Sequence, residues 1–126
     1  MPSGNAPRSR TTKQLIGDAG EARAAGFLSQ RGVTILERNF RVKGGEIDLI
    51  GRDGHDGDSV IFVEVRQRAT AQFGGAAASI TPTKQRRLIL AARHWLAQHG
   101  EVPCRFDAVV IDGEQLEWIR GAFSAD

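Results

Sequence analysis

The chain has 126 residues, 40% apolar and 25% charged, which is the size and composition of one ordinary soluble globular domain. Its single cysteine, Cys104, excludes an intrachain disulfide and a cysteine-rich zinc site, and apolar runs such as Val60–Val63 are far too short to span a bilayer. Seventeen basic against fifteen acidic residues leave a net charge of +2, but the charges come in blocks: residues 44–64 hold six acidic residues and one basic, and residues 65–93 hold six basic and none acidic.

Residues 1–12 are rich in Pro, Ser, Thr and Arg and read as a disordered tail. They carry no apolar stretch of a secretory signal, and with one cysteine the expected location is the reducing cytoplasm. A single domain is expected over residues 13–123. Residues 13–31 read as a helix stopped by Gly32, with a loose apolar pattern. Val33–Phe40 has strand composition, Lys43-Gly44-Gly45 is a turn, and Glu46–Gly51 is the next strand. The turn Asp53–Asp58 leads to a strand over Ser59–Arg68, and residues 69–80 form a Gly/Ala-rich loop. Thr81-Pro82 starts a helix with Thr as N-cap and Pro at the first helical position. It runs to about His99, with Leu88, Ala91, Ala92, Trp95 and Leu96 on its apolar face and Gly100 as its stop. Arg105–Ile111 and Gln115–Ile119 are strands either side of a turn at Asp112-Gly113. The order is α-β-β-β-α-β-β.

Two neighbouring strands carry carboxylates among apolar residues. Alternation puts Glu46, Asp48 and Ile50 on one face of the first strand, and Phe62, Glu64 and Arg66 on one face of the second. Paired as a hairpin, the strands bring Asp48 beside Glu64. An ionised carboxylate in such a setting is costly unless it is paired or binds a cation. Arg66 is the structural answer, as the partner of Glu64, and Mg²⁺ or Mn²⁺ is the functional one. Glu21 shares a helix side with Ala24, Ala25 and Leu28 and faces either the sheet or solvent. Lys84, Gln85, Arg86 and Arg87 open the second helix, a placement that suits either phosphate binding or a plain exposed turn. No phosphate-binding P-loop, dinucleotide fingerprint or nucleophile elbow occurs. Cys104, Trp95 and Trp118 read as core residues.

Several motifs together make the chain resemble the YraN family of bacterial proteins over residues 14–123. They are Gly17–Ala22 (GDAGEA), Glu37–Arg41 (ERNFR), Gly45–Ile50 (GEIDLI), Phe62–Arg68 (FVEVRQR), Gly74–Ile80 (GGAAASI) and Cys104–Asp107 (CRFD). That family is similar to the restriction-endonuclease-like superfamily. The resemblance implies an α/β fold with that α-β-β-β-α-β-β core, a central mixed sheet flanked by helices. It also implies a metal-dependent nuclease acting on DNA, branched or damaged DNA included. Carried over residue by residue, Asp48 and Glu64 hold the metal, the Val65 carbonyl is a further ligand, and Glu21 is the helix carboxylate. Arg66 stands where the superfamily has a lysine. Arginine stays protonated, so it can stabilise a phosphate but cannot transfer a proton. Lys84 or Gln67 is then expected to supply what the lysine did. Arg41, Lys43, Arg68, Lys84, Arg86 and Arg87 are the candidate contacts to the nucleic-acid backbone. Two other readings are a non-catalytic nucleic-acid-binding module and a small protein-interaction adaptor in which Arg66 pairs Glu64 permanently. Small domains of this type often act as homodimers, although the sequence carries no interface signal.

Overall fold

Thr11 opens the first helix through a reciprocal cap. Its hydroxyl accepts the Gln14 N–H at 3.1 Å, and the Gln14 side chain accepts the Thr11 N–H at 2.9 Å. Helix α1 spans Thr12–Ser29, so it begins inside the stretch expected to be tail. The structure is a computed structural model that describes residues 11–67 and 80–125. The expected tail over residues 1–10, Arg68 and the Gly74-Gly75 segment lie outside the described residues.

The strands are β1 (Val33–Val42), β2 (Gly45–Asp53), β3 (Ser59–Gln67), β4 (Cys104–Asp112) and β5 (Gln115–Phe123), and helix α2 (Pro82–His99) lies between β3 and β4. They form one sheet in the order β1-β2-β3-β4-β5. All neighbours are antiparallel except β3 and β4, which run parallel and therefore need the α2 crossover between them. The element order is the expected one. Thr81 caps α2 and Gly100 ends it, as the sequence indicates. Strand β5 runs four residues further than expected, because Phe123 pairs with Phe106 and the two rings stack.

Each face of the sheet carries its own helix and its own core. Ala24, Ala25 and Leu28 of α1 pack with Leu49, Ile61, Val63 and Val109. The α2 face expected from periodicity is buried against Ile47, Ile50, Phe62 and Phe106. Phe62 meets Trp95 edge-on at 5.9 Å and Phe106 at 5.5 Å between ring centroids. Gly45 lets β2 touch α2, since a side chain there would press on the Arg87 carbonyl and the Ala91 amide.

The end of the sheet near the β2–β3 turn is fastened by Arg105. Its guanidinium reaches Asp53 at 2.7 Å, Asp56 at 2.7 Å and Asp107 at 3.0 Å. Asp107 is fully buried and also accepts the Trp118 indole N–H and the Gly121 N–H. Burial works against the Arg105 charge, but these carboxylates hold it charged more firmly than usual. Cys104, expected in the core, is exposed at the outer end of β4, and burial of its sulfur with the Glu101 charge still push its thiol upward. Trp95 is buried as expected. Trp118 is half-buried, with Arg120 lying 3.7 Å above its ring.

Candidate active site

Asp48 sits where the pleat of β2 fails. Ile47 and Ile50 both belong to the α2 core, while Leu49 belongs to the α1 core. Residues three apart cannot share a face in a regular strand, so the alternation expected for Glu46, Asp48 and Ile50 breaks beside Asp48. The β2–β3 ladder starts at Leu49 opposite Val63 and does not continue past them toward Asp48 and Glu64. In its place the Asp48 carboxylate accepts the Val65 N–H at 2.8 Å. A side chain thus replaces a backbone carbonyl, and this opens the sheet at one end.

Strand β3 keeps its alternation. Phe62 faces α2, Ile61 and Val63 face α1, and Glu64 returns to the α2 side. Glu64 is buried, and its Oε2 takes Lys84 Nζ at 3.1 Å and an Arg66 guanidinium nitrogen at 3.4 Å. Asp48 and Glu64 line the same cleft and act on each other electrostatically, as the hairpin reading anticipates. Burial and the facing Glu64 charge push the Asp48 carboxyl up to about 7, against the pull of the Val65 N–H. Asp48 therefore either keeps its proton close to neutrality or is stabilised by a cation.

Glu21 is half-buried and faces the same cleft from α1. Burial raises its carboxyl, and a hydrogen bond with the Asn39 side chain opposes the rise. Asn39 is a residue that the sequence reading missed. It lies inside β1 at φ 52, a left-handed conformation that asparagine tolerates better than most side chains. Its sequence signals are a polar amide in the middle of a strand and its place in the Glu37–Arg41 motif.

The cleft has a volume of about 430 Å³, and Glu21, Asp48, Glu64, Val65 and Lys84 line it. Among the described residues, no three His, Cys, Asp or Glu side chains converge as a ready-made metal cluster. What converges is the Asp48–Glu64 pair. Two hard carboxylates lining one cleft suit a Mg²⁺- or Mn²⁺-sized cation, which needs no more protein ligands than that.

The other candidates separate. Gln67 also lines the cleft, but its amide is engaged, donating to the Ile16 carbonyl at 2.7 Å. Arg41 and Arg87 both lean on Glu46, at 3.9 and 3.6 Å. Arg86 is held by the Thr83 hydroxyl, and Lys43 is exposed at the β1–β2 turn. Arg68 lies outside the described residues.

Residues 20–111 match the family model described as "Uncharacterised protein family UPF0102". Among curated relatives, a UPF0102 protein of Dechloromonas aromatica is 55% identical over 119 residues, covering 94% of this chain and 97% of its own. One from Herminiimonas arsenicoxydans is 48% identical and covers 94% of both chains. One from Nitrosomonas europaea is 57% identical, covering 85% of this chain and 92% of its own. No helix among the described residues is long and apolar enough to cross a membrane.

Proposed function

From a chain that belongs to the uncharacterised protein family UPF0102, we propose a metal-dependent nuclease that hydrolyses phosphodiester bonds in DNA. The observation that carries this reading is the Asp48–Glu64 pair at the open end of the β2–β3 ladder. It is a costly placement for two carboxylates, and a cation would make it favourable. Asp48 and Glu64 would hold Mg²⁺ or Mn²⁺, with the Val65 carbonyl and Glu21 beside them. The ion would supply positive charge where negative charge builds on the phosphate.

Arg66 and Lys84 both pair with Glu64 and would hold a phosphate oxygen. Of the two, arginine cannot give up its proton, so a proton transfer would fall to Lys84. With the Gln67 amide committed to α1, Lys84 is the residue left to take up the role of the missing strand lysine. Arg41, Lys43, Arg86 and Arg87 lie on or beside the strands and helix that bound the cleft and would track the DNA backbone.

A second reading has one observation in its favour. Lys84 and Arg66 already neutralise Glu64 without any ion, which suits a binding module that does not turn over. The test is cleavage of labelled single-stranded, duplex, flap and four-way-junction DNA with Mg²⁺ or Mn²⁺, wild type beside Asp48→Asn. Metal-dependent cleavage lost in the variant is the expected result. Salt-dependent binding with no cleavage, unchanged by Asp48→Asn, would establish the binding module instead.

A further inference from the structure

Asp48 belongs to neither of the ladders that flank β2. The β2–β3 ladder stops at Leu49 and Val63, one place short of Asp48 and Glu64. On the other side, β1 pairs Arg38 with Leu49 and Phe40 with Ile47, and skips the position between, where Asn39 lies opposite Asp48. Strand β1 is an edge of the sheet, the place where irregular strands gather, often beside active sites.

The gap coincides with the backbone of Asn39. Its φ is 52, and the other non-glycine positive φ among the described residues, at Asp58, lies in a turn. A strand needs a strongly negative φ, so at Asn39 the flanking peptide groups swing away from the partner strand. Asn39 is exposed, so core packing does not impose this conformation. Strain of this kind persists where the surroundings fix it, and it concentrates at functional sites. Opposite the gap, the Asp48 carboxylate reaches the Val65 N–H at 2.8 Å and lines the cleft with Glu64. The Asn39 amide adds a tie to Glu21 on α1.

We infer that Asn39 is a positioning residue: its left-handed backbone breaks the β1–β2 ladder opposite Asp48 and so frees the Asp48 carboxylate to face the cation site it shares with Glu64. This rests on the proposed function for the cation and goes beyond it in the residue it names. Valine, which favours strands and resists a positive φ, would draw β1 straight and close the ladder over Asp48. Glycine takes up a positive φ freely and would keep the gap.

The test is Mn²⁺ affinity, read by electron paramagnetic resonance without DNA, so turnover does not enter. Wild type, Asn39→Gly, Asn39→Ala, Asn39→Val and Asp48→Asn are compared, and urea transitions confirm that each is folded. Asn39→Val should bind about tenfold or more weakly, Asn39→Gly within about threefold of wild type, and Asn39→Ala in between. That order follows tolerance of a left-handed backbone. Bulk would place asparagine beside valine, and loss of the amide alone would make all three substitutions alike. Wild-type affinity in Asn39→Val would show that Asp48 bends β2 unaided and would overturn the inference, as would Asn39→Gly binding as weakly as Asn39→Val. Either result leaves the cation site standing if Asp48→Asn still abolishes binding. Wild type that binds no Mn²⁺, or binds it equally with Asp48→Asn, would overturn the cation reading and this inference together.

Discussion

Asp48→Asn should stabilise the folded protein, and increasingly so as the pH rises. Burial and Glu64 raise the Asp48 carboxyl from 3.8 to about 7. For a group raised on folding, the stabilising contribution is fully present below the unfolded value and is lost as pH rises through the folded one. The whole shift of about three units corresponds to about 4 kcal/mol. Between about pH 5 and about pH 8.5 the wild type loses up to about 2–3 kcal/mol of it, and relaxation of the open cleft reduces that to about 1–2 kcal/mol. The asparagine has no charge to ionise there, and its carbonyl still accepts the Val65 N–H. Urea denaturation of both proteins at the two pH values, without divalent ions, measures the difference directly. The variant's advantage should grow by the stated amount, or by roughly 5 °C in Tm. An advantage that does not change with pH, or an Asp48→Asn protein less stable at both values, would refute the account of how the two carboxylates meet. Adding Mn²⁺ should raise the wild type selectively.

Three further outcomes follow from other parts of the molecule. Arg105→Ala leaves Asp53 and Asp107 buried without their cation and should cost about 3–5 kcal/mol in urea denaturation, with no first effect on the cleft. Lys84→Ala should lower cleavage about 100-fold, and Arg66→Lys in that background should restore part of it; equal activity of Lys84→Ala and wild type would remove Lys84 from the chemistry. Gly45→Val should destabilise by about 1–3 kcal/mol, read as a lower urea midpoint, because the new side chain meets the backbone of α2.

What the sequence made legible depended on how local each cause was. Helix α2 was fully readable, from its Thr81-Pro82 start to Gly100, because cap, periodicity and stop all lie within the segment. Helix α1 looked loose for a physical reason: only its second half has a sheet beneath it, so only Ala24, Ala25 and Leu28 report a face. The hairpin that brings Asp48 to Glu64 followed from two strands and a short turn. The break in the pleat at Asp48 did not, since it arises from the way the end of β2 meets both α2 and β3. The extension of β5 to Phe123 depends on a ring stack with Phe106, and the commitment of Gln67 depends on a carbonyl 51 residues away. Such pairings carry no local signature. Arg105 was passed over as an ordinary strand residue, although three aspartates converge on it in the fold.

The cleft lies where both helical layers and two strands meet, with walls drawn from α1, β2, β3 and α2. The two cores on either side of the sheet are otherwise separate. A guest seated there would splice them together, so occupancy should be felt across the whole domain and not only at a loop. Binding to the folded state alone adds about 2.7 kcal/mol at a hundredfold excess over Kd. The melting curve of the intact protein is therefore a detector for its own ligand. Divalent ions, mononucleotides and short oligonucleotides can be ranked on it before any reaction has been observed.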